Sequence, residues 1–491
     1  MNQSSQRLSL SPRAKLLVIL WVVTLPLVNP WVRGDGVGYY AYLHALLIRG
    51  DLSFRDEWLH GNRSFLLNRI DDRGRLNPAQ FTANGHVANY FSVGPSLLWA
   101  PFLAPVHGAV LVLDRLGARI PADGYSRPYR VTIALATAFY GFFALWLAFL
   151  MARETFDERA ALVATLGIWF GSSLPVYMYF NPSWAHALAA FAVALFLWYW
   201  RRTGWSRGWR QWIVLGLISG LMLDVYYPNA ILLLLPLADV ARGVRANLRQ
   251  TPGAPRDWRW MAGTALFGLA LVTAFLPTLV TRAILYGSAL HSGYRVFWYW
   301  SSPIPFKILF SADHGLFSWT PILALSVTGL ILYARRERWE GGLLLLAFVA
   351  FLYLISCYQY WDGISSFGNR FFVSLTPLFV LGLAALLHRC AGWSSGKRAA
   401  WRASCLIVAL LVVWNLGFIF QWGTQLVPDR GPISWKQMAY NQVAVVPRNA
   451  AGQLEQYFVN RGGMMRRIET RDVRLLEAHP NSGLPRPAPT K

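Results

Sequence analysis

The sequence predicts an all-α polytopic membrane protein: a bundle of about 11–13 transmembrane helices with a long first extracytoplasmic loop, 31–90, that contains interfacial helices. Three observations carry that expectation. Of the 491 residues, 55% are hydrophobic and only 14% charged, whereas a soluble chain carries about a quarter charged residues. Apolar runs recur at close to the ~20 residues needed to cross a bilayer. The arginines and lysines are bunched in some connections and mixed with acids in others, which is the pattern that marks cytoplasmic loops.

The basic connections are the N-terminus (Arg7, Arg13, Lys15), the stretch Arg201, Arg202, Arg207 and Arg210, and the group Arg242, Arg245, Arg249, Arg256 and Arg259, where Asp257 is the one acid. Arg335, Arg336 and Arg338 meet Glu337 and Glu340, and Arg389, Lys397, Arg398 and Arg402 meet no acid. Residues 31–90 instead mix arginines with Asp35, Asp51, Asp56, Glu57, Asp71 and Asp72. A net charge of +23 on a soluble chain would point to nucleic acid, but this distribution points to membrane topology, so nucleic-acid binding is the weak reading and no nucleic-acid partner is expected. The 24 tryptophans and 21 tyrosines suit interfacial belts. Cys357, Cys390 and Cys405 have neither disulfide-framework nor zinc spacing.

In order along the chain, apolar segments fall near 14–32, 91–115, 128–151, 160–180, 184–200, 211–224, 227–241, 260–284, 316–334, 341–357, 371–388 and 402–422. Each is expected to be helical, because lipid offers unpaired backbone groups no partner. The first lacks a small-residue cleavage site and reads as a retained span. A cytoplasmic N-terminus and inside arginine loops require an odd number of spans, so about eleven is the consistent count. Pro95, Pro101 and Pro105 are expected to break one segment, or "SSLPVYMYFNPSW" to be partly re-entrant. That parity puts 31–90, Asp224–Asn229, 285–315 and 358–369 on the outer face, with Asn181–His186 beside them. Tyr39–Ile48 reads as a short amphipathic helix in the interface. The chain divides into a membrane domain, 1–422, and an extracytoplasmic tail, 423–491, ending in a disorder-prone "GLPRPAPTK".

The outer face collects the residues capable of chemistry. Asp35, between two glycines in "WVRGDGVGYY", is a candidate general base and equally a candidate cap for a helix starting near Val37. Arg370 in "WDGISSFGNRFF" offers a bidentate clamp for phosphate, or an ion pair with Asp362. Asp71 and Asp72 suit cation or sugar binding, or a solvated turn paired with Arg69, Arg73 and Arg75. His186, Asp313 and His314 are ionisable groups at membrane depth, which tend to face cavities. Tyr39, Tyr40 and Trp361 add aromatic surface. No metal site is expected, since further oxygen ligands cannot be assigned around Asp71 and Asp72, and a divalent ion's part in any reaction is left open. Nucleotide-binding, zinc-protease and serine-hydrolase motifs are absent from the sequence. An outward-facing membrane enzyme therefore needs a substrate already activated in the membrane.

The stretches "GDGVGYYAYLHALLIRGDL", "NYFSVGPSLLWAPF", "HGLFSWTPIL" and "SFGNRFFVSLTPLFVLGLA" resemble the GT-C fold polytopic glycosyltransferases. Within these the chain is similar to the bacterial protein-mannosyltransferase and aminoarabinose-transferase group, glycosyltransferase family 39. The resemblance spans most of residues 10–422 and implies a polyprenyl-phosphate-linked sugar as co-substrate, no other cofactor, and a glycan, lipid or protein acceptor. It implies a bacterial inner membrane location with the active site extracytoplasmic, and an inverting displacement in which Asp35 is the acid supplied by the first loop. Arg370 is assigned to the lipid phosphate by its chemistry and position. Tyr39, Tyr40, Asp72, His186, Asp313, His314, Trp361 and Asp362 complete the expected substrate-contacting set. Gly36 follows Asp35 where the protein mannosyltransferases carry a second acid, which argues against a protein acceptor. A transporter or flippase, or a catalytically silent assembly protein of the same fold, is the competing reading. The absence of internal repeats and the clustering of polar motifs on one face favour the enzyme.

Overall fold

The computed structural model describes residues 11–204, 206–249, 259–294, 296–393 and 398–478. The Pro-rich end at 483–491 and Arg7, Arg256, Asp257 and Lys397 of the basic clusters lie outside the described residues. Among the described residues β-pairing is confined to isolated bridges, Ile70 with Leu76, Phe81 with Val87 and Trp298 with Tyr358.

Each of the twelve apolar segments contains a helix. Helix α1 (Pro12–Thr24) opens with Ser11 as its cap, the hydroxyl accepting from Ala14 N–H at 3.2 Å. The first loop carries α2 (Asp35–His44) and the short α3 (Arg55–Leu59) and α4 (Arg63–Leu66). There follow α5 (Gly94–Arg115), α6 (Arg127–Thr155) and α7 (Glu158–Gly171), the last capped by Asp157. Next are α8 (His186–Thr203), α9 (Trp209–Val225), α10 (Leu234–Leu248) and α11 (Arg259–Tyr286). Short α12 (Pro305–Phe310) and α13 (Leu316–Trp319) lead into α14 (Ile322–Arg336), α15 (Glu340–Ser356), α16 (Thr376–Trp393) and α17 (Arg398–Gly423). The tail forms α18 (Trp435–Tyr440), α19 (Val446–Val459) and α20 (Arg461–Ala478).

The chain is an all-α polytopic membrane protein. Helices over Gly94–Arg115, Arg127–Thr155, Trp260–Tyr286, Arg370–Cys390 and Arg398–Gly423 are long and apolar enough to cross a membrane, and Glu340–Ser356 is apolar but shorter. The remaining helices fall short of this length and apolarity. The most apolar stretch of the helix over Arg370–Cys390 is 89% buried, against 17% for α11 and 22% for α17. Helix α16 is thus the centre of the bundle, and α11 and α17 present their leucines and valines outward, where only lipid can cover them.

Two expectations need correction. Pro101 and Pro105 lie inside an unbroken α5. The chain breaks instead after Gly171, passing through a π-helical turn at Val176–Phe180 and the turn Asn181–Ala185 before α8, within the stretch that also read as re-entrant. Helix α2, expected as an amphipathic helix in the interface, is buried from Gly36 through His44, so it is walled by protein on every side.

Small residues set the closest crossings. On α9, a Cβ at Gly216 would fall 2.4 Å from the Phe267 carbonyl and one at Gly220 2.4 Å from that of Leu271, so a GxxxG face seats α11 against backbone. Gly329 of α14 and Gly382 of α16 meet in the same way, a Cβ at Gly382 falling 2.1 Å from the Ser326 carbonyl. Gly382→Val is therefore expected to lower stability by about 1–3 kcal/mol or more. Gly342→Ala, at a position with open space around it, serves as the control. Thermal unfolding in detergent reads both, and an unchanged midpoint for Gly382→Val would contradict the close crossing.

Candidate functional site

Asp35 is the first residue of α2, not its cap. Gly34 takes the N-cap position at φ 52° and ψ −128°, a conformation that glycine adopts without penalty. Its N–H donates to Asn62 Oδ1 at 3.0 Å. No side chain caps the helix, so the capping reading of Asp35 falls. The second glycine has a steric reason: a Cβ at Gly36 would lie 2.1 Å from Ser183 Oγ and 3.0 Å from the Ser183 carbonyl. A second acid after Asp35 has no room here.

What Asp35 contacts is Arg370. Its Oδ2 accepts from Arg370 Nη1 at 2.7 Å, the carboxylate side chain 31% exposed and the guanidinium 12%. Residues 335 apart in sequence thus form one ion pair, and the pairing of Arg370 with Asp362 entertained from sequence is not the one made. Arg370 opens a 3₁₀ turn, Arg370–Leu375, that feeds α16, so the central helix carries it. The guanidinium lies over the Trp184 ring at 4.6 Å, a cation–π contact that fixes its plane. Trp184 is held by its Nε1–H to the Arg33 carbonyl at 3.0 Å. Behind Arg370, a Cβ at Gly363 (φ 74°) would come within 3.2 Å of its Cγ, so the 357–369 loop packs on the arginine stem.

Around this pair, buried polar atoms lack partners. Arg370 Nε, Ser183 Oγ, His186 Nε2 and Tyr226 Oη have no hydrogen bond among the described residues. The His186 ring packs edge-on to Tyr177 at 4.7 Å and faces Tyr226 and Trp184 at 6.1 and 6.2 Å. Folded proteins leave few such groups unsatisfied, and here four of them lie close to the Asp35–Arg370 pair. Tyr39, one turn beyond Asp35, is buried against Phe91 at 5.0 Å. Burial, and secondarily the Asp35 carboxylate, push its phenol well above the ordinary range, so it stays protonated at any physiological pH.

Not every expected residue joins. Tyr40 donates to the Gly124 carbonyl at 2.6 Å and serves to hold the 121–126 connection. Asp72 is exposed, with no partner among the described residues, on a turn closed by Asp71, which accepts from Arg73 and Arg75 and pairs with the Arg75 guanidinium at 2.9 Å. The solvated-turn reading describes this segment. Trp361 is half-buried and lends its carbonyl to Asn369 Nδ2 at 3.0 Å. Asp313, His314 and Asp362 converge with one another rather than on Asp35, the last two with no exposed surface.

Sequence reading passed over the tail. Arg33 pairs with Asp472 of α20 at 2.5 Å, Glu469 accepts from Asn62 Nδ2 at 2.9 Å and from Ser64 N–H at 2.6 Å, and Tyr457 donates to the Leu27 carbonyl at 2.6 Å. Ser365, in the loop beside Arg370, donates to Asp429 at 2.9 Å. The 423–478 segment is thus latched onto the chain on both sides of Asp35. Between it, α17 and the 27–33 linker lies a mostly apolar cavity of about 610 Å³, with Trp184, Arg33 and Asn181 among its lining. Trp184 both lines the cavity and carries Arg370.

Burial, reinforced by neighbouring Asp429 and Glu469 and opposed by Arg33, pushes the Asp472 carboxyl up to about 6. The folded state therefore binds this proton more tightly than the unfolded one. The resulting stabilisation is complete below about pH 4 and is lost as pH rises through about 6. The thermal midpoint is expected to fall across that window more steeply for wild type than for Asp472→Asn. Parallel curves would contradict it.

The fold and site define a polytopic helical membrane protein with a partly buried carboxylate–guanidinium centre beside an apolar cavity. No family model matches the chain, and no curated protein matches it in sequence. Among solved structures it is similar to the oligosaccharyltransferase of Archaeoglobus fulgidus, crystallised tethered to an acceptor peptide containing the NVT sequon. The two share 14% identity at a TM-score of 0.45, over 82% of this chain and 54% of that one, so the chain spans about half that protein's length.

Proposed function

We propose that the chain is an integral membrane glycosyltransferase. It moves a sugar from a polyprenyl-phosphate donor to a glycan, lipid or protein acceptor on the extracytoplasmic face of a bacterial inner membrane. The observation that carries this reading is the Asp35–Arg370 pair, ringed by unpartnered buried polar atoms and joined through Trp184 to the apolar cavity. The chemistry follows from what each part offers. The cavity suits a prenyl chain, which needs an apolar wall. Arg370 holds one N–H on Asp35 and keeps its Nε–H unpaired, so a phosphate oxygen has a donor waiting.

In the displacement, the acceptor oxygen bonds to the anomeric carbon from the face opposite the phosphate, and its proton passes to Asp35. The bond from the anomeric carbon to the phosphate oxygen breaks, and its electron pair leaves on the lipid phosphate, where Arg370 meets the developing charge. The configuration inverts. Tyr39, protonated, and His186 are placed to donate to or accept from sugar hydroxyls.

The test is reconstitution with a panel of radiolabelled polyprenyl-phosphate sugars and membrane acceptors. The reading requires label transfer with release of the polyprenyl phosphate. Movement of intact donor across the bilayer without cleavage would replace it with the flippase reading.

A further inference from the structure

Asp313 and His314 stand between α12 and α13, and Asp362 stands in the 357–369 loop, 48 residues further on. The fold brings one ligand atom of each within 4.8 Å of the others. His314 Nδ1 lies 3.2 Å from Asp313 Oδ1, yet the two are not aligned as a hydrogen bond. His314 has no exposed surface, and neither of its ring nitrogens has a hydrogen-bond partner among the described residues. Its backbone is left-handed, φ 56°, a conformation costly for a residue with a Cβ and met mostly where function requires it. The ring packs on Trp319 at 4.7 Å, and the Trp319 Nε1–H holds the Ala312 carbonyl at 3.0 Å, so the pair of ligand residues is rigidly placed.

The geometry points to a divalent metal site formed by Asp313, His314 and Asp362. Two carboxylates and one imidazole are a donor set for zinc or a neighbouring first-row cation. Ligand atoms about 3.3 Å apart form the edge of a tetrahedron with ~2.0–2.1 Å bonds, and the Asp313–His314 separation already matches it. Three protein ligands leave one position for water.

The site is separate from the Asp35–Arg370 centre and acts through the loop. Asp362 is next to Gly363, which packs on the Arg370 stem, and the Asn369 side chain ties the loop back to the Trp361 carbonyl. A cation bound at Asp362 therefore clamps the base of the segment that positions Arg370. These three residues are then positioning residues for the proposed reaction, although metal binding itself stands whether or not the chain transfers sugar.

The experiment is a metal titration of purified full-length protein stripped with chelator. Zn²⁺ is counted by elemental analysis after desalting, and Co²⁺ is read by its visible d–d absorption. About one ion per chain is expected, with four-coordinate nitrogen–oxygen Co²⁺ bands. Occupancy should fall at least ~10-fold in Asp362→Asn and in Asp313→Asn, whose side chain keeps 16% of its surface exposed and so is the milder of the two changes, and should be unchanged in Asp35→Asn. A wild-type protein that retains neither ion would overturn the proposal. So would Asp313→Asn and Asp362→Asn proteins that bind at full stoichiometry, or an ion lost on Asp35→Asn.

Discussion

Asp35→Asn is expected to reduce sugar transfer by ~10²–10⁴-fold, the range supplied by a positioned general base. The amide is nearly isosteric with the carboxylate and still offers Arg370 Nη1 an oxygen at the 2.7 Å position, so the fold and the arginine's orientation should survive. What is lost is the acceptor for the proton of the attacking hydroxyl. Donor binding should hold while turnover falls, which separates this variant from one that merely unfolds α2. Rates measured under saturating donor check the point, and near wild-type turnover would remove Asp35 from the proton's path.

Arg370→Lys is expected to cost about 10²–10³-fold in transfer, the size of effect seen when one preorganised donor to a developing oxyanion is removed. Charge is conserved in this change, so the loss isolates geometry. The guanidinium carbon lies 4.6 Å from the Trp184 ring centroid while Nη1 holds Asp35, and Nε–H is left for phosphate. An ammonium is a single point charge that cannot hold a carboxylate and a phosphate in one plane. If Arg370→Lys transfers at the wild-type rate, the arginine serves structure alone.

Much of this was legible in sequence because membrane helices are written in long apolar runs. All twelve runs contain helices, and the clustered arginines sit toward helix ends, as Arg201 and Arg202 of α8 and Arg335 and Arg336 of α14 do. Asp35 and Arg370 were each readable as polar residues at span ends. Their mutual contact was not, since nothing in a sequence encodes a pairing across 335 residues. Trp184 sat in plain view in "NPSWAH", but its role depends on which ring face meets a guanidinium. The tail was the largest omission. Helices α19 and α20 carry too little apolar surface to register as a membrane element, and their docking rests on single polar contacts such as Arg33–Asp472 and Asn62–Glu469. Proline placement misled in α5, where Pro101 and Pro105 sit in a continuous helix, as neighbouring groups in membrane bundles can satisfy the carbonyls a proline frees. The buried state of α2 was hidden for a related reason: burial there comes from Phe91, Ser183 and the 121–126 connection, all distant in sequence.

Whether the Asp35–Arg370 centre receives a lipid phosphate can be measured without knowing the sugar. Polyprenyl phosphate is titrated into nanodisc-embedded protein and followed by ³¹P NMR. Expected are a saturable shift in wild type, loss of binding by about 10-fold or more in Arg370→Gln, and binding at least as tight as wild type in Asp35→Asn, where no carboxylate competes for the guanidinium. Equal affinity in wild type and Arg370→Gln would contradict it.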